Sequence, residues 1–357
     1  MTAACSGYTS GVHVGLIAPP WIPVPPPAYG GTEAVIATLA KGLKSRGVEV
    51  TLFAHPDSAA PVRLRSATPP REGTHMGDLM SELSWAASAD EALAECDVVH
   101  HHSFAGVVCS SRTDGLVMTN HGPFEPHMDA LLRRVARDAA VVAISNSHAE
   151  DATVPVTVIH HGVEVEQFPY GDGSGGYLLF LGRLDPSKGA HRAIEVARRA
   201  GQPLIIAAKM REPHERRYFH DEIEPRLGDG ITYIREPRRN PTLRLLAGAT
   251  ALVNPIQWKE PFGMVMLEAQ ACGTPVLAFG CGAAPEIVRH GTTGFISATV
   301  EEMVEDVARI GKISRGAVRA HAETSFGADR MVDRYLDLYD QVSKQTHAAA
   351  ALEQKAG

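Results

Sequence analysis

Residues 176–209 read GYLLFLGRLDPSKGAHRAIEVARRAGQPLIIAAK. An apolar run ends in Gly-Arg, a loop carries Asp-Pro-Ser-Lys-Gly, an amphipathic stretch follows, and a second apolar run closes the segment. That order is strand, loop, helix, strand, the βαβ unit of a parallel sheet. The segment is a restart. GDGSGG (171–176) precedes it and reads as a flexible linker, and an equivalent unit lies near the start of the chain. There VHVGLIAPP (12–20) is a buried strand and WIPVPPPAYGG (21–31) a Pro-rich loop. A helix runs from Thr32 to a Gly47 cap, and VEVTLFA (48–54) is the next strand. The echo is one of pattern, not of residue identity.

Further strands are expected in DVVHHH (97–102), GLVMTN (115–120), AVVAIS (140–145), ITYIRE (231–236), ATALVNP (249–255) and TPVLAFG (274–280). The expected fold class is α/β, with two doubly wound Rossmann-like domains. The first spans 1–170 and the second 171–325. Met331, Tyr335, Leu338 and Val342 recur at three- and four-residue steps, so a final helix over 326–343 buries one face. The Ala-rich residues 344–357 read as a frayed tail. In doubly wound sheets a ligand sits beyond the carboxyl ends of the strands, where all the motifs below fall.

Composition removes several classes of function. The 357 residues carry a net charge of −7, so no global basic field points to nucleic acid. Cys5, Cys96, Cys109, Cys272 and Cys281 form no CxxC pair and read as reduced thiols, with Cys272 a buried packing residue. The polar N-terminus shows no signal peptide and no apolar run is long enough to span a bilayer, so the expected location is cytoplasmic. No GxGxxG follows the first strand, which counts against a nicotinamide or flavin site. His100, His101 and His102 are adjacent and alternate in facing, which makes a poor metal site. DALLRRVARD (129–138) is the one candidate for weak membrane association, and reads first as a surface helix.

The stretch with most chemistry is KEPFGMVMLEAQACGTP (259–275), with Glu260 and Glu268 eight positions apart around a helix start near Gly263. Backbone N–H groups at a helix start lack intrahelical partners and carry the positive dipole end. They receive phosphate, while a carboxylate on either side could grip polyol hydroxyls. A diphosphate between two polyols describes a nucleotide sugar. Spacing alone is weak evidence, since a helix cap and a solvated surface glutamate would give the same pattern.

The surrounding residues add to it. The segment resembles the donor-site signature of the retaining glycosyltransferases of family 4, which have the GT-B fold. It has the two glutamates, the Phe262-Gly263 pair and the Gly273-x-Pro275 ending; Pro261 and Trp258-Lys259 depart from the usual pattern. The resemblance implies two domains facing a cleft, with the last helix crossing back to the first domain. It implies transfer of a hexose from a UDP- or GDP-linked donor to a hydroxyl acceptor, with retained anomeric configuration and no cofactor. No Asp-x-Asp stands at a strand end, so no metal is expected either.

On the same resemblance Arg183 and Lys188 clamp the diphosphate, Glu260 orients the donor sugar and Glu268 holds the ribose. His121, at the end of GLVMTN, contacts the donor or the transition state. Gly30 and Gly31 lie against the diphosphate, paired glycines allowing positive φ and close approach. Phe262, Gly263, Met264 and Val265 complete the donor site. Other residues read as structural: Glu33 favours its helix N-terminus, Asn146 and Ser147 cap a helix, and His160-His161 belong to the hinge. Glu286 is open to either reading. Arg235, Arg238 and Arg239 form a basic run without a convincing nucleotide role. A glycosyl phosphorylase, a nucleotide-sugar epimerase or a non-catalytic nucleotide-sugar sensor would share much of this pattern. Both glutamates and both cations being present favours the transferase. The acceptor is not legible.

Overall fold

The computed structural model describes residues 11–28 and 30–356, with side chains to Thr346; Cys5 and Gly357 lie outside the described residues. The first sheet holds β1 (His13–Ile17), β2 (Glu49–Phe53), β3 (Arg63–Arg65), β4 (Val98–His101), β5 (Leu116–Thr119), β6 (Ala139–Ala143) and β7 (Thr157–Val158). The second holds β8 (Leu178–Arg183), β9 (Leu204–Lys209), β10 (Ile231–Arg235), β11 (Ala251–Asn254), β12 (Val276–Phe279) and β13 (Gly294–Ser297). Strand order is β3-β2-β1-β4-β5-β6-β7 in one and β10-β9-β8-β11-β12-β13 in the other. Each sheet is parallel throughout.

Each sheet begins in its interior, so strand order reverses beside β1 and beside β8. Those two switch points open a crevice at the carboxyl ends of the strands. Both faces of each sheet are covered, which is why most strands are unbroken apolar runs. In the second sheet one face packs on the helices Ala190–Arg199 and Val300–Arg309. The other packs on Met264–Ala271 and Arg315–Phe326.

The final helix, Ala328–Ala356, joins the core of the first sheet. Met331, Tyr335, Leu338 and Val342 are all buried there, with Val332, Leu336 and Tyr339 beside them. Side chains of this size are worth roughly 1.5–3 kcal/mol each when fully buried, so the contact is strong. It is also close. A Cβ at Gly42, on the facing helix Gly31–Ser45, would come 2.4 Å from Val332 Cγ2. Tyr339 Oη meets His100 Nδ1 at 2.7 Å and Tyr335 Oη meets Thr119 Oγ1 at 2.8 Å, tying the helix to β4 and β5.

Three expectations change. The helix continues through Ala356, past the point where residues 344–357 read as frayed. Strands β3, β7 and β13 are additional: RLR has one apolar residue, TV is only two residues long, and GFIS opens on a glycine. Most informative is the Gly/Ser segment 171–176. Gly171, Gly173 and Gly175 serve close approach, not looseness. The N–H groups of Gly171, Gly173 and Gly175 donate to the carbonyls of Cys272, Ala247 and Gly248. Arg315 binds the carbonyls of Gly171, Ala247 and Ala249. A Cβ at Gly171 would lie 1.9 Å from the Ala247 carbonyl oxygen.

Gly171→Ala therefore forces backbone apart, and should lower unfolding free energy by about 1–3 kcal/mol in urea titration. A change within experimental error would mean that the segment is the loose connection its composition suggests.

Candidate active site

A cavity of about 380 Å³ lies between the carboxyl ends of the two sheets. Every residue singled out above for the site lines it: Gly30, Gly31, His121, Arg183, Lys188, Glu260, Phe262, Gly263, Met264, Val265 and Glu268.

Two helix N-termini meet there. The helix Gly31–Ser45 begins after Gly30, and the helix Met264–Ala271 begins after Gly263; neither has a side-chain cap. A Cβ at Gly31 would stand 3.7 Å from Met264 Cγ, so the two starts face each other across the cleft. Gly263 has φ +96, a left-handed conformation that favours glycine. Gly30 is extended, with φ 171, and Gly31 is not in the left-handed region, so of the two properties that paired glycines allow it is close approach that matters here. Gly30 is required by space, because its Cβ would meet Pro26 Cβ at 2.7 Å and Glu33 Oε2 at 2.8 Å.

Cations come from the second sheet. Arg183 ends β8 and Lys209 ends β9, and the two are register partners. Among the described residues Arg183 forms no ion pair. Lys188 is set by its loop: Asp185 Oδ1 accepts from Ser187 N at 2.9 Å, and Gly189 turns with φ +78. A Cβ at Gly189 would meet the Pro255 carbonyl oxygen at 2.5 Å. Lys188 is 8% exposed, lies 5.1 Å over the Trp258 ring and pairs with Glu260 Oε1. Glu260 Oε2 is buried without a partner. Burial lowers the Lys209 pKa, and Arg211 and Arg183 push the same way.

Glu260 is held from behind. A Cβ at Gly282 would fall 2.4 Å from the Glu260 carbonyl oxygen, and Ala283 N donates to that oxygen at 3.1 Å. Ser145 Oγ donates to the Pro261 carbonyl at 2.7 Å, linking the two halves of the chain. Glu268 Oε1 lies 3.6 Å from Arg239. Burial raises the Glu268 pKa and Arg239 opposes that rise. Glu33, in the first turn of its helix, is also buried; burial lifts its carboxyl to about 7 against its own backbone N–H and Lys209.

His121 Nε2 is 2.9 Å from His102 Nδ1, and its ring stacks on His161 at 5.1 Å. His161 meets Phe262 edge-on at 5.0 Å. Burial first, then His148, brings His121 down to about 3.

Several site neighbours were missed or misread. Arg239, set aside with Arg235 and Arg238, lines the cavity and partners Glu268. His161 lines it too, rather than serving the hinge alone, and so does Lys209. The cap of the helix Asn146–Ala149 is Ser145, not Asn146 or Ser147. The N–H groups of Asn146 and Ser147 donate instead to Glu286, at 2.9 and 2.8 Å, with Asn146 Nδ2 and His160 Nε2 at 2.8 Å. Glu286 thus bridges the second half of the chain to the first. Cys272 is buried, and the 129–135 helix neutralises Arg133 and Arg134 with Asp129 and Asp138. Among the described residues no His, Cys, Asp and Glu cluster could hold a metal, and no helix is long and apolar enough to cross a membrane.

Two parallel-sheet domains facing a cleft, with this set of residues at the strand ends, define a GT-B glycosyltransferase. Residues 29–167 match the family model for Glycosyltransferase Family 4, and 170–320 match that for glycosyl transferases group 1; the chain belongs to this family. It is 28% identical to the D-inositol 3-phosphate glycosyltransferase of Mycobacterium avium, over 88% of this chain and 90% of that protein. AviGT4, a glycosyltransferase involved in avilamycin A biosynthesis, superposes with a TM-score of 0.71 and 27% identity, covering 93% of this chain and 98% of that one. The Anabaena protein Alr3699/HepE, solved with UDP and glucose, shares the fold with a TM-score of 0.71 at 19% identity, covering 91% and 98%.

Burial alone would disfavour ionised Glu286, but hydrogen bonds from His160, Ser147 and Asn146 outweigh it and bring the carboxyl down to about 2. A depressed carboxyl stabilises the fold above its unfolded value and loses that contribution as pH falls towards the folded value. The stability gap between wild type and Glu286→Gln should therefore be about 2–3 kcal/mol near pH 6 and close progressively between roughly pH 4.5 and 2. A gap that stays constant over that window would remove the ionised bridge.

Proposed function

We propose that the protein transfers a hexose from a UDP- or GDP-linked sugar to a hydroxyl acceptor, with retention and without a metal. One observation carries this reading: two helix N-termini without side-chain caps converge on a single cavity with Arg183, which forms no ion pair among the described residues. That is a site for a polyanion, with N–H groups and a guanidinium fork in place of a metal ion.

The diphosphate lies between the N-termini near Gly31 and Gly263, with Arg183 and Lys188 on its oxygens. Glu260 exchanges part of its contact with Lys188 for donor sugar hydroxyls, and its unpartnered Oε2 is available to accept one. Glu268 accepts from the ribose hydroxyls with Arg239 beside it. Phe262, Met264 and Val265 wall the donor. His121 meets the sugar or the transition state. The bond from the anomeric carbon to the diphosphate oxygen breaks, and the acceptor oxygen bonds to the same face. The acceptor proton passes to the leaving phosphate, so no protein carboxylate need act as a nucleophile. The cations and N–H groups stabilise charge that grows on the diphosphate as the bond breaks. The name of one relative includes D-inositol 3-phosphate, a polyol whose hydroxyls are acceptors of the kind this reading requires.

Arg183→Ala and Glu260→Gln should each lower sugar transfer roughly 10²–10³-fold while leaving the fold intact by circular dichroism. Wild-type rates in both would empty the site of its assigned chemistry. Stereochemistry is a separate matter: proton NMR of fresh product should show the donor's anomeric configuration, and the opposite anomer would end the retaining assignment.

A further inference from the structure

His102 follows β4 and His121 follows β5, which are neighbours in the first sheet. Their rings meet through His102 Nδ1 and His121 Nε2, 2.9 Å apart. A neutral imidazole has one N–H and one bare nitrogen, so the contact can form in two ways. Both rings are neutral near pH 7, because burial and neighbouring imidazoles hold them below the ordinary histidine value.

In the first arrangement His121 donates. His102 then carries its proton on Nε2, an atom that is buried and has no hydrogen-bond partner. In the second arrangement His102 donates through Nδ1. Its Nε2 is then a bare lone pair, and the proton of His121 sits on Nδ1. Buried N–H groups without an acceptor are rarer than under-used acceptors, since the donor forfeits its bond to water. The second arrangement strands no donor.

The surroundings hold His102 in place. Its backbone N–H donates to the Ile17 carbonyl, and its ring lies 4.2 Å from that of His100. His100 is itself fixed by Tyr339 and Thr119. His121 spends Nε2 on His102 and lines the cavity, so Nδ1 is the nitrogen left for a ligand.

We infer that His102 is a positioning residue: it donates Nδ1–H to His121 Nε2, fixes the Nδ1–H tautomer of His121, and makes that ring a hydrogen-bond donor to the substrate in the cavity. The identity of the substrate rests on the transfer reading above; the tautomer does not. In this form His121 gives a hydrogen bond to a sugar hydroxyl or a leaving oxygen, and offers no lone pair there to take a proton.

The test labels the full-length protein with ¹⁵N-histidine and reads each ring by two-bond ¹⁵N–¹H correlation at pH 7. His121 is assigned by the loss of its signals in His121→Asn. Wild type should show a protonated Nδ1 and a bare Nε2 at His121. His102→Phe keeps a ring but removes the donor, and should release His121 into a mixture containing Nε2–H. His102→Asn returns an N–H near the Nδ1 position and should restore the wild-type tautomer. With UDP-glucose, or GDP-mannose as the alternative donor, His102→Phe should lower kcat for donor cleavage roughly tenfold, the worth of one buried hydrogen bond. KM should change by less than about twofold, and His102→Asn should recover most of kcat. An Nε2–H tautomer in wild type, or one unchanged in His102→Phe, would overturn the inference, as would wild-type kcat in His102→Phe. The Nδ1–H tautomer in a protein that cleaves neither donor would leave the histidine pair standing and count against the transfer reading instead.

Discussion

Two helix N-termini pointed at each other across a cleft are the constraint on which the rest of this structure depends. Each carries a partial positive charge, and Arg183, Lys188, Lys209 and Arg239 line the same cavity. Without anions such an arrangement repels itself. The protein answers with carboxylates of its own: Glu260 on Lys188, Glu268 beside Arg239, and Glu33 in the first turn of the Gly31–Ser45 helix. The Glu260–Lys188 pair lets both groups stay largely buried before a ligand arrives, and it presents the two groups that the proposed donor would separate.

Holding the two starts together takes contacts far from the cavity. The final helix fills the core of the first sheet and continues directly from the Arg315–Phe326 helix of the second. Glu286 gathers two backbone N–H groups and two side chains from the other half of the chain. Ser145 anchors Pro261, next to Glu260. Along the back of the cleft aromatic rings run from Tyr339 through His100, His102, His121 and His161 to Phe262. The final helix is thereby connected by packing to the loop that carries Glu260.

Much of this was legible in the chain. Parallel strands buried on both faces are plain apolar runs, and the restart at Gly176 exposed the duplication of architecture. The candidate site residues stood out because their motifs resemble those of a known family: Arg183 and Lys188 in one loop, Glu260 and Glu268 around one helix start. What escaped notice depends on neighbours distant in sequence. Arg239 acquires its role only because its guanidinium meets Glu268, and Glu286 only because Asn146, Ser147 and His160 fold beside it. The histidine run 100–102 reads in sequence only as a poor metal site, because the partners of His100 and His102, Tyr339, Thr119 and His121, come from other elements. The glycines of 171–176 misled for a related reason: composition cannot distinguish a loose glycine from one that lets two backbones touch.

The central claim is that this cleft receives a nucleoside diphosphate through protein groups alone. Calorimetric titration of the purified protein with UDP, GDP, ADP and dTDP, in the presence of EDTA, tests it most directly. Saturable one-to-one binding of one of these nucleotides is the predicted result, and it would also name the donor base. A folded protein that binds none of the four, or binds only when a divalent metal is restored, would contradict it.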